Sequence, residues 1–73
     1  MNKQGSRGKV RHVYFVYDAR AREGAGTDGA LAVCVEPTLD AARKWREWWS
    51  DGCIYRYSTR SSTLYDETWV EDF

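Results

Sequence analysis

A single stretch of the chain carries helix punctuation at both ends, and that limits the fold more than any other feature. Pro37 closes the run before it, Thr38 stands ready to cap, Asp40 falls in the first turn, and Gly52 follows as a stop. At about 100° per residue, Ala41, Ala42, Trp45, Trp48 and Trp49 fall on one side of a helix running from about Leu39 to Ser50. Asp40, Arg43, Lys44, Glu47, Ser50 and Asp51 fall on the other, with Arg43 and Glu47 an i,i+4 pair.

The remaining periodic runs are strand-like. Val10–Tyr17, Ala30–Val35 and Cys53–Ser58 are rich in β-branched and aromatic residues. Asp18 to Gly29 reads as a loop, with Ala19–Arg22 a frayed extension of the strand before it and Gly24-Ala25-Gly26 a turn. Thr59–Thr63 is a turn or loop, and Leu64–Phe73 is either a short fourth strand or a docked segment. The expectation is an α+β fold of order β-β-α-β(-β). A three- to four-stranded, mainly antiparallel sheet, order 2-1-3, carries one helix on one face. Residues 1–9 read as a flexible basic tail and 10–73 as one domain.

Side-chain alternation then assigns faces. Arg56 suits a core poorly, so Tyr55 and Tyr57 are expected beneath the helix with Leu31, Val33, Val35, Val13, Phe15 and Tyr17. His12, Tyr14, Val16, Ala32, Cys34, Ile54 and Arg56 are expected on the far face, covered in part by Trp69 and Phe73, a second copy or a partner.

At 73 residues the chain is near the lower limit for a core without staples, and 15% aromatic content concentrates burial in a few large rings. Cys34 and Cys53 have neither metal-site spacing nor enough histidine beside them. A disulfide is open to them, and two reduced thiols are the expectation in a cytoplasmic chain. No apolar run reaches the ~20 residues that span a bilayer, and the N-terminus lacks a signal peptide's apolar stretch. Cytoplasmic residence without membrane contact is therefore expected.

Acids and bases balance at 11 each, but not along the chain. Lys3, Arg7, Lys9 and Arg11 give the first eleven residues +4, and Asp66, Glu67, Glu71 and Asp72 give the last eleven −4. His12 is the only histidine, Ser61-Ser62 has no partner near it, and the acid pairs read as solvated surface. The chain is therefore read as a non-enzyme with no cofactor and no metal. Tyr14, Arg56, Trp48, Trp69, Arg43 and Lys44 are the candidate binding residues, because Trp, Tyr and Arg dominate interface energetics. Nucleic-acid binding through Tyr14, Arg56 and the basic arm is the weaker alternative, since the aromatic signature of an RNA-recognition sheet is absent. A structural homodimer is a further one.

The run Glu36-Pro37-Thr38-Leu39-Asp40-Ala41-Ala42-Arg43, followed by Cys53-Ile54-Tyr55-Arg56-Tyr57 and Leu64–Glu71, resembles small orphan proteins of phages, prophages and archaeal elements. The resemblance covers about residues 10–71 and carries over no residue-level motif. It implies a stoichiometric inhibitor of host machinery, of the anti-CRISPR kind, that binds a host protein or complex and catalyses nothing.

Overall fold

The computed structural model describes residues 10–22 and 32–73. The expected basic tail, the Gly24-Ala25-Gly26 turn and Leu31 lie outside them. Four strands, β1 (Arg11–Asp18), β2 (Ala32–Glu36), β3 (Gly52–Arg60) and β4 (Thr63–Asp72), form one antiparallel sheet of order β2-β1-β3-β4. The only α-helix among the described residues is α1 (Leu39–Arg43), between β2 and β3. The α+β architecture and the strand order are those read from the sequence, and the C-terminal segment is a full fourth strand.

The capping signals act as expected. Thr38 is extended (φ −135°, ψ 156°), and its Oγ1 accepts from the Ala41 N–H at 3.1 Å. The helix does not continue to Ser50, however. After Arg43 it tightens into a 3-10 turn, Lys44–Glu47. A 3-10 turn eclipses residues i and i+3. Arg43 and Arg46 thereby both reach Glu71 on β4, at 2.8 and 3.6 Å. Arg43 is thus drawn to the sheet, and the expected Arg43–Glu47 pair is replaced by a cross-element one. The Trp48 and Trp49 N–H groups both donate to the Trp45 carbonyl, where the turn ends.

The assignment of sheet faces is the reverse of the expectation. Val16, Ile54 and Ala42 form a fully buried cluster beneath α1, with Tyr14, Cys34, Leu39, Trp45, Val70 and Phe73 packed around it. Phe15, Tyr17, Cys53, Tyr55 and Tyr57 lie on the other face. Size explains the inversion. A five-residue helix is only ~8 Å long and packs closest over small side chains, so Val16, Cys34 and Ile54 belong under it. Arg56 shares their face about 7 Å further along β3, where it is only half-buried. Of the described residues expected inward on β2, Val33 reaches the helix-side cluster, through a bulge opposite Val16 and Tyr17, while Val35 is exposed beside Phe15.

The ring face stabilises itself. Phe15 stacks on Tyr17 and tilts against Tyr57, with centroids 5.9 and 4.7 Å apart, and Tyr17 meets Tyr55 edge-on at 5.8 Å. Ala19–Arg22 is a 3-10 turn and not frayed strand, and its buried Ala21 covers one end of this cluster, its carbonyl accepting from the Tyr55 hydroxyl. Hydroxyls close the other end: Tyr17 pairs with Tyr57 at 3.0 Å, and Tyr57 donates to Glu67 at 2.6 Å. Burial pushes the Tyr55 hydroxyl pKa above its ordinary value, helped by neighbouring negative charge.

Candidate interaction surface

The six residues singled out from the sequence divide into three groups. Tyr14 and Arg56 are register partners across β1 and β3, so the fold does bring them together. They lie on the helix side of the sheet and not on an open face, and Tyr14 packs against the core. Arg43 is committed to Glu71: its Nε donates to both carboxylate oxygens and its Nη2 to one, at 2.8–3.2 Å. That contact holds the guanidinium pKa above its ordinary value.

Trp69 lies opposite Tyr55 on the ring face, 53% exposed, with its indole N–H donating to Asp72 at 2.9 Å. It flanks the ring cluster and does not cover the face expected of it, whereas Phe73 packs against Val16 and Ile54 as expected, together with α1.

Trp48 and Lys44 form the third group. The chain leaves the 3-10 turn at Trp48, and its side chain is 79% exposed. It is a wall of two clefts. One, of about 570 Å³, is lined by Glu36, Ala41, Lys44, Trp45 and Trp48. Trp45 is fixed there by its indole N–H, which donates to Glu36 at 2.8 Å. The other, of about 430 Å³, is lined by Asp18, Ala19, Trp48, Trp49, Ser50 and Asp51.

Trp49, expected in the core, is exposed on the rim of this second cleft, because the helix ends before it. Asp18 and Asp51 escape sequence reasoning: one ends β1, the other precedes β3, and only the register Asp18↔Gly52 brings them to one place. Three tryptophans in five residues on a segment this short were the available signal, since a helix of that length cannot bury them all.

The cysteines lie on opposite faces of the sheet, Cys34 beside Val16 and Cys53 beside Tyr17, with β1 between their strands, and they are not joined by a disulfide. Desolvation first, and then the Glu36 charge, push the Cys34 thiol up to about 11, so it is a poor nucleophile near neutrality. Among the described residues no group of three or more His, Cys, Asp and Glu side chains is placed to hold a metal ion. No described helix is long and apolar enough to cross a membrane. The fold and surface define a small, aromatic-rich α+β domain with an open antiparallel sheet. No family model matches the chain, and neither does any curated protein or solved structure.

Proposed function

We propose that the chain is a non-enzymatic binding protein that blocks a host protein or complex by stoichiometric contact in the cytoplasm, in the manner of the phage-type inhibitors it resembles. The exposed Trp48 carries this reading. An indole held out of the core at the meeting of two clefts, with Trp49 beside it, has the character of an interface hot spot. Exposing it leaves apolar area wet, a cost of ~1.5–3 kcal/mol against full burial that a partner can recover.

The nucleic-acid alternative drew on an open face bearing Tyr14 and Arg56. That face carries α1, with Tyr14 packed against the cluster beneath it.

The test is capture from host lysate with the wild type, Trp48→Ala, and Tyr14→Ala combined with Arg56→Glu. Each variant is first checked for unchanged far-ultraviolet circular dichroism. Trp48→Ala is expected to weaken a captured protein by roughly thirtyfold, the scale of a ~2 kcal/mol hot spot, while the sheet double variant retains it. Equal retention by wild type and Trp48→Ala refutes the reading, as does tight oligonucleotide binding at low salt that fades as salt rises.

A further inference from the structure

The larger cleft beside Trp48 adjoins an open edge of the sheet. β2 is an outermost strand, bonded to β1 on one side, and among the described residues no strand pairs with its other edge. The cleft begins at Glu36, the last residue of β2. It continues past Ala41, Lys44, Trp45 and Trp48, which at about 100° per residue share the side of the helical segment away from Arg43. Unpaired backbone groups along an edge specify an extended chain, and a pocket beside them specifies one of its side chains. The other edge, β4, is blunted. Its register shifts twice, Asp66 has a left-handed φ of 56°, and it carries four acids, Asp66, Glu67, Glu71 and Asp72. β2 shifts once, at Val33, and keeps register from Cys34 to Glu36 next to the cleft.

We infer that the protein partner adds an extended segment to the outer edge of β2 as a fifth strand, with an aromatic side chain of that segment seated between Trp45 and Trp48. Two indoles and the Ala41 methyl make the described lining chiefly apolar, and about 570 Å³ takes a ring. Trp45 is held by its bond to Glu36, so that wall is in place before binding. The same bond engages the Glu36 carboxylate, while Lys44 is exposed and has no ionic partner among the described residues. An acid next to the seated ring therefore suits the rim. Val35, 51% exposed on the opposite face of β2, offers apolar area to the segment's alternate side chains. A second copy fits less well. Self-pairing centred on Cys34 brings Ala32 beside Glu36, and a methyl leaves the cleft empty.

This inference rests on the reading of the chain as a protein-binding module, and its test is separable from that reading. The probe is an acetylated, amidated heptapeptide that alternates Phe with Thr and carries Asp at both ends. Its titration into uniformly 15N-labelled protein is followed by NMR. The Trp45 and Trp48 indole signals are expected to shift and saturate while Trp69 stays still, and the outward amides of β2 should exchange fast in the free protein and slowly in the complex. A strand docked edge-on bonds through alternate residues. Of two peptides N-methylated on odd or on even residues, one should therefore lose binding at least tenfold and the other keep it. Trp48→Ala should weaken binding roughly tenfold or more. Exchanging the peptide's Asp for Lys should weaken it roughly three- to tenfold, and Lys44→Glu should reverse that preference.

Equal binding of the two N-methylated peptides overturns the inference, as does the absence of any shift at Trp45 and Trp48 at millimolar peptide. Slow exchange of the outward β2 amides in the free protein overturns it too, because the edge is then already covered. So does a mass that doubles with concentration as those amides become protected, which gives the edge to a second copy. If the peptide fails while Trp48→Ala still loses a captured protein, the added strand falls and the binding function stands.

Discussion

Gly52→Ala should be among the most damaging single-methyl changes this chain can carry, and the reason is packing, not backbone conformation. Gly52 opens β3 opposite Asp18 and exchanges both backbone bonds with Phe73 at 2.9 Å. A Cβ there would overlap the Tyr17 carbonyl oxygen and lie 3.1 Å from the Phe73 ring and 3.2 Å from the Trp49 ring. The rings can turn aside, but the carbonyl belongs to β1 and moves only with its strand. Overpacking costs about 1–3 kcal/mol, and loosening the paired bonds adds roughly 1 kcal/mol. Opposing this, Gly→Ala at a tolerant site stabilises by ~0.4–1 kcal/mol through the unfolded chain. The net loss is about 1–3.5 kcal/mol, centred near 2. A domain this small holds only ~4–11 kcal/mol in all, so the melting temperature should fall by roughly 10–20 °C. Thermal and urea melts followed by far-ultraviolet circular dichroism measure it. Adding Phe73→Ala should not restore stability, because the carbonyl overlap remains. A Gly52→Ala protein that melts at or above the wild type would refute the close approach of β1 to this position.

Ser61 and Ser62 join β3 to β4 with φ of 51° and 68°, a left-handed pair that suits Asn-Gly better than Ser-Ser. The replacement Ser61→Asn with Ser62→Gly should stabilise by about 1 kcal/mol and raise the melting temperature by ~4–8 °C; no rise would count against this turn. The Cys34 thiol, pushed up to about 11 from 9.0, keeps its proton in the folded chain where the unfolded chain loses it. The Cys34 contribution to stability should therefore be constant below pH 9, fall between pH 9 and about 11, and be absent in Cys34→Ala. Alkylation of Cys34 at pH 8 should be slower than that of a free thiol, which mass spectrometry reads directly.

Element identity was legible because its signals are local. The Thr38 cap, the Pro37 break and the β-branched runs each act within a few residues, and the order 2-1-3 followed as the simplest one that makes both pairings antiparallel. The facing of the sheet was not local. Arg56 argued that Tyr55 and Tyr57 point inward, on the assumption that everything on the helix side is core. The helix is too short for that, so Arg56 occupies the right face and the wrong depth. The length of α1 depended in turn on Glu71, 28 residues beyond Arg43, which holds the arginines where the helix tightens. Pairings over such distances leave no periodic trace.

The inverted facing also bears on the proposed binding role. Had the tyrosines lain under the helix, the opposite face of Tyr14, Val16, Cys34, Ile54 and Arg56 would have been the natural docking surface. Instead the rings use much of their capacity on one another: Phe15, Tyr17, Tyr55 and Tyr57 are in mutual contact, and the hydroxyls run from Tyr17 through Tyr57 to Glu67. Polar groups already paired at good distance gain little from exchanging partners. Trp48 is different. It projects from a turn too short to bury it, between a cleft with a fixed indole and a cleft with two carboxylates. On the proposed binding role, a partner is therefore expected at the junction of the helical segment and β3, and one that engages the centre of the sheet instead would contradict that proposal.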